Sequence, residues 1–164
     1  MVNLSSKTDD EIDQWIHNHE QKSATRAPLY LELLEERARR SKKQGHLDIE
    51  KSLQLLTLAA IEQRCVTYGD LAKASNVEWS KARHKMNGAR GHLDRLLDMC
   101  HVRGIPLLPA ICVNESGRET GELESTALQG FAIGARRLGL HFSDDLAFHH
   151  KVREECWRWG ENQK

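Results

Sequence analysis

The stretch "CVTYGDLAKASNVEWSKARHKMNG", Cys65 to Gly88, constrains the fold of this chain more than any other. "CVTY" reads as a short extended piece and "GDLAKAS" as one brief helix; Asn76 supplies a turn residue, and "EWSKARHKM" makes the next helix. Asn87-Gly88 and Gly91 interrupt the chain beyond it. Two short helices joined across an Asn turn have the order of a helix-turn-helix, a unit that needs further helices to complete a core.

The flanking sequence supplies them. "SKTDDEIDQWIHNHE" opens with capping residues and sets Ile12, Trp15, Ile16 and His19 on one helical face. Pro28 suits a first helical turn, and Leu29, Leu33, Leu34 and Ala38 continue at helical spacing until Gly45. Asp48 can cap "IEKSLQLLTLAAIEQR", whose Ile49, Leu53, Leu56 and Ala60 predict the central helix. "HLDRLLDMCHVRG" closes on Gly104, "STALQGFAIGARRLG" ends at Gly139, and Ser143 opens a last helix.

"IPLLPAICVN" is the best strand candidate, an apolar run framed by prolines, and "NESGRETG" after it is a polar loop in the place of a wing. The predicted fold is mainly α, a winged helix-turn-helix with a short β element and extra N- and C-terminal helices. Residues 1–46 form a helical arm, 47–142 the winged-helix domain, and 143–164 a C-terminal helix packed on it.

Acidic and basic residues balance at 24 each, which excludes a generally basic nucleic-acid glue but not a local basic face. From Lys81 to Arg103 the basic residues are Lys81, Arg83, Lys85, Arg90, Arg95 and Arg103 against Asp94 and Asp98. A second run, Arg37, Arg39, Arg40, Lys42 and Lys43, ends the second helix, where cations also suit the helix dipole. The four cysteines form no CxxC pair, no signal-peptide pattern opens the chain, and no apolar run approaches the roughly 20 residues that span a bilayer. The expectation is a cytoplasmic protein with reduced thiols and no membrane role.

The order of helix, "VTYGDLA", Asn turn, "KAR" on a second helix, proline-bounded apolar run and "N.SG..TG" loop resembles the C-terminal winged-helix domain of alkylguanine-DNA alkyltransferases and the alkyltransferase-like proteins. The resemblance covers roughly residues 49 to 140. The whole chain also looks like small bacterial proteins with a helical arm before the same domain. In the alkyltransferases a Tyr of the "TYG" segment and an Arg of the recognition helix act on DNA, the Arg taking the place of an extruded nucleotide; Tyr68 and Arg83 match them. The acceptor cysteine of a Pro-Cys-His-Arg tetrapeptide falls, counted back from Gly117, on Pro109 within Leu108-Pro109-Ala110-Ile111. A proline has no nucleophile, so the resemblance implies recognition without alkyl transfer, no catalytic residue and no cofactor.

The candidate DNA-contacting residues are therefore Thr67, Tyr68, Trp79, Ser80, Lys81, Arg83, His84, Lys85, Asn87 and Arg90, with Arg118 as the one wing cation. Cations serve phosphates, and Arg or Asn can read base edges. Tyr68 could equally pack on the core with its hydroxyl bonded locally, and Trp79, at a helix start, is expected to be a packing staple. His92 would extend the basic stripe. Leu108, Pro109 and Ala110 would line an apolar reading pocket.

No His or Cys pair has closed metal-site spacing. His149 and His150 are adjacent on a helix and are expected to point to different sides, so no metal is assigned. Cys112 and the Cys100-His101 pair read as inert buried thiols. The favoured partner is double-stranded DNA, with altered or extrudable nucleotides probed by Tyr68 and Arg83. The alternatives are a protein-interaction module, dimerising or inhibiting a partner through N-terminal helices bearing Trp15, Tyr30 and leucines, and an enzyme with a displaced thiol at Cys112. Against the last, three residues along a strand reverse the face.

Overall fold

The computed structural model describes residues 2–43, 47–88 and 91–164, so the predicted stop at Gly45 and the candidate Arg90 lie outside the described residues. The chain is mainly helical: α1 (Asp9–Gln21), α2 (Pro28–Lys43), α3 (Ile49–Ile61), α4 (Tyr68–Ala74), α5 (Trp79–Met86), α6 (His92–Arg103), α7 (Ser125–Arg137) and α8 (Asp145–Glu161). Its strands are β1 (Val66–Thr67) and β2 (Cys112–Val113).

Local chemistry sets the helix ends. Thr8 caps α1 in a reciprocal box with Glu11, Asp48 caps α3 through the Lys51 amide, and Thr67 caps α4 in a second box with Asp70. The last helix is capped by Asp144, whose carboxylate accepts from the Ala147 amide, rather than by Ser143. Gly104 and Gly139 follow α6 and α7 at φ +65° and +90°, where a side chain would be strained.

α3 is the hub, with α4, α6 and α8 packed around it. Its Leu56, Ala59 and Ala60 are wholly buried, and Gly160 of α8 comes so close that a Cβ there would meet the Ala60 carbonyl oxygen at 2.2 Å. The arm joins the same core. α2 packs on α6, and Tyr30, Leu33 and Leu34 are fully buried inside the chain, whereas Trp15 of α1 stays half-exposed.

The proline-framed run departs from the predicted strand. Leu108–Ile111 is a 3₁₀ turn, and only Cys112–Val113 is extended, pairing in parallel with Val66–Thr67. Pro106 and Pro109 carry no amide hydrogen for a ladder, which explains why the extended segment starts only after them. The loop after β2 holds a 3₁₀ turn at Glu115–Gly117, and the one sheet among the described residues is this parallel pair, so no antiparallel wing hairpin forms there. No helix among the described residues is long and apolar enough to cross a membrane.

A buried ion network joins arm and core. Asp98 of α6 is wholly buried, with Arg37 Nη2 of α2 at 2.9 Å, Arg95 Nε of α6 at 3.2 Å and Arg137 Nη2 of α7 at 2.7 Å. Arg137 also reaches Glu20 of α1 at 3.2 Å, and Glu20 accepts from the Tyr30 hydroxyl at 3.0 Å. Burial pushes the Asp98 carboxyl up, but the three guanidiniums outweigh it and hold the group below its usual range.

Candidate nucleic-acid interface

α4 and α5 meet through a turn in which Asn76 adopts φ +58° and the Val77 amide donates back to the Ala72 carbonyl. α5 buries Ala82 and Met86 against the core and exposes the rest of its surface. At about 100° per residue, Ser80 and His84 then point straight outward, Lys81 and Lys85 occupy one flank, and Arg83 the other. No acidic residue lies between Trp79 and Met86.

Lys81, Arg83, His84 and Lys85 make no ion pair among the described residues, whereas Arg37, Arg39, Arg40, Arg103, Arg136 and Arg137 are all matched to acids. Acids are thus matched to cations elsewhere in the chain, and α5 keeps its charge free. In the second basic run, Arg37, Arg39 and Arg40 are engaged by Asp13, Asp98, Glu36 and Asp9 and offer no free face.

Several candidates move. Trp79 is exposed at 45%, so it is not the expected packing staple; Ala82 and Met86, one and two turns further along the inner face, already fill that contact. Arg118 is not a free wing cation. It bonds Asp70 at 3.1 Å, Glu115 at 3.0 Å and the Thr67 hydroxyl at 3.3 Å, strapping the loop to the start of α4. Thr67 is buried and occupied by its cap. His92 and Arg95 leave the basic stripe: His92 is buried with Nε2 2.7 Å from the Ser52 hydroxyl, and Arg95 is buried beside Asp98. Asn87 and Ser80 are exposed as expected.

Beside the C-terminal end of α5 lies a cavity of about 470 Å³. Pro109, Cys112, Leu97 and Phe131 line its apolar part, and Tyr68, Asn87, Asn114 and Arg137 bring polar groups to it. Leu108 and Ala110 are core residues and do not line it; Pro109 alone of the three predicted pocket residues does. Tyr68 is nearly buried and packs on the core, one of the two readings open for it, although its hydroxyl makes no hydrogen bond among the described residues. Burial, aided by the nearby Cys112 and Glu124, pushes the phenol well above its usual range, so it stays a donor.

Cys112 lies on the pocket side with Pro109, against the strand argument. The intervening residues form a 3₁₀ turn, which repeats every three residues and returns position 112 to the face of position 109. Its chemistry is still poor, because burial pushes the thiol well above its ordinary value and the thiolate is the nucleophile. Cys100 and Cys156 are likewise buried with raised thiols.

A second cleft, of about 430 Å³, separates the arm from α5 and α6. His84, Lys85 and Asn87 form its α5 wall, with Arg37, Arg40 and Asp13 opposite. Sequence reasoning missed the Tyr68 to Asn87 side of the first cavity, since residues 19 apart in sequence carry no sign of meeting. Comparison of the chain with protein-family models, curated proteins and solved structures gives no match in any of the three.

Proposed function

We propose that the protein binds double-stranded DNA non-enzymatically, laying α5 in a groove and receiving an altered or extruded nucleotide in the cavity behind it. One observation carries this reading: the exposed, acid-free α5, with its cations unpaired in a chain that pairs most others, ends at the mouth of a half-apolar cavity through Asn87 and Gly88. Lys81 and Lys85 on one flank and Arg83 on the other suit the two phosphate walls of a groove, leaving Ser80 and His84 toward base edges. The free Tyr68 hydroxyl gives the cavity a donor for a guest, while Pro109 and Phe131 accept an apolar substituent. The sequence resemblance to the alkyltransferase domain, through Tyr68 and Arg83, supports the same reading.

Titration of the full chain with plain duplex and with duplex carrying an alkylated guanine, at two salt concentrations, tests the reading. Three phosphate contacts give a slope of log affinity on log salt of about −2.7, from about −0.9 per contact. The alkylated duplex binds more tightly at both salts. Affinity independent of salt and of alkylation would defeat the reading.

No alkyl group moves to the protein. After incubation with the alkylated duplex, intact-mass measurement shows the unmodified chain, because Pro109 has no thiol and the Cys112 thiol stays protonated. An adduct mapped to Cys112 would reinstate an enzyme.

A further inference from the structure

Away from the DNA-facing side, three side chains are assembled as a ligand set. Glu122, at the end of the loop before α7, and the adjacent His149 and His150 of α8 each offer one ligand atom, and these atoms lie within 4.8 Å of one another. Adjacent histidines on a helix are expected to diverge, but these ring centroids are only 5.9 Å apart, and Glu122 completes the set from the loop.

His149 is the informative member. Its side chain is fully buried, and its Nε2 lies 2.9 Å from the Ala110 carbonyl oxygen. A carbonyl only accepts, so Nε2 bears the hydrogen and the neutral ring keeps a lone pair on Nδ1. That Nδ1 has no hydrogen-bond partner among the described residues. A dry, unpartnered acceptor is costly, and an imidazole anchored to a backbone carbonyl through one nitrogen while the other is free is the arrangement that outer hydrogen bonding gives a metal-binding histidine.

His150 Nε2 lies 2.8 Å from one Glu122 carboxylate oxygen, and Arg153 Nη1 donates to the other at 3.1 Å and to the Gly121 carbonyl at 2.8 Å. A plain His150–Glu122 ion pair accounts for these two residues but leaves the buried Nδ1 of His149 without a purpose. We propose that Glu122, His149 through Nδ1, and His150 bind a divalent cation of the zinc class. Two imidazoles and a carboxylate form a set that zinc accepts with a fourth position left to water. Arg153 would orient the carboxylate from its far oxygen, and its charge makes the site weaker than a closed structural zinc site. The ion would tie the loop to α8, and through His149 to Ala110, the neighbour of the cavity residue Pro109.

The test is Zn²⁺ itself, added to the full chain in equilibrium dialysis and followed by thermal unfolding, with Co²⁺ as the spectroscopic probe. Glu122→Gln and His150→Ala are the deciding variants, because both side chains are half-exposed and their loss leaves the fold intact. Wild type should bind one Zn²⁺ per chain and unfold at higher temperature with it, since an ion that binds only the native state stabilises it. Each variant should lose affinity about tenfold or more, the scale on which even outer-shell partners act. Co²⁺ should show a nitrogen and oxygen spectrum without a thiolate charge-transfer band, separating this site from the four cysteines. Absence of Zn²⁺ binding in the wild type, or wild-type affinity in both variants, overturns the proposal; the second result would place the metal on other histidines or on thiols.

Discussion

Asp98→Ala destabilises the protein by about 3–5 kcal/mol, the range seen when one partner is removed from a buried ion pair. The carboxylate is wholly buried and is shared by Arg37, Arg95 and Arg137, so its loss leaves guanidiniums from three helices crowded together without their common acceptor. Against a typical total stability of about 5–15 kcal/mol, such a loss unfolds a large fraction of the chains near physiological temperature. Urea unfolding of wild type and variant checks it. An unchanged midpoint would mean that the arginines find water or other acids at no cost. The pH dependence has a definite sign. The Asp98 carboxyl sits below its unfolded value of 3.8, so its contribution is complete above that value and is lost as pH falls through the lower folded one. Asp94 works the other way, since burial above all pushes its carboxyl up.

This network is the least legible part of the sequence. Arg95 and Asp98 look like surface charges because nothing in a residue's identity marks it as buried. Leu96, Leu97, Met99 and Cys100 cover only one side of α6, and Asp98 lies opposite them, where its partners Arg37 and Arg137 come from 61 and 39 residues away in sequence. Arg95 and Arg103 therefore do not belong to a basic face, as both are matched, to Asp98 and Glu50.

The helices themselves are legible, because capping residues, a first-turn proline and glycine stops are local chemistry. Thr8, Pro28, Asp48 and Gly104 act where the sequence puts them. The run from Ile105 to Asn114 misleads because apolar content alone cannot separate a strand from a buried 3₁₀ turn, and its two prolines act as missing donors rather than as a frame. That single change of conformation also moves Cys112 onto the pocket face. Arg118 differs from expectation for another reason: the acids around it in sequence suggest a weakly charged wing, but its decisive partner, Asp70, is 48 residues away.

Replacing Lys81, Arg83 and Lys85 together by Gln removes most of the duplex affinity and lowers the steepness of the salt dependence by about 2.7, at about 0.9 per lost phosphate contact. Gln keeps helix propensity and a polar side chain, and all three positions are exposed without ion-pair partners among the described residues, so the fold has no stake in them. Arg83→Ala alone is expected to weaken binding by about 1–3 kcal/mol, more than any single change in α1 or α2. Arg118→Ala is the matched control: it removes an arginine of equal charge, but one already neutralised by Asp70 and Glu115, and should leave the salt slope where it was. Pro109→Ser separates the cavity from the helix, because it adds a hydrogen-bonding group to the cavity lining and touches no cation. It should reduce the preference for alkylated duplex while the salt slope stays constant. If the triple Gln variant binds duplex as wild type does, with the same slope, then α5 is not the DNA-contacting element, whatever its charge.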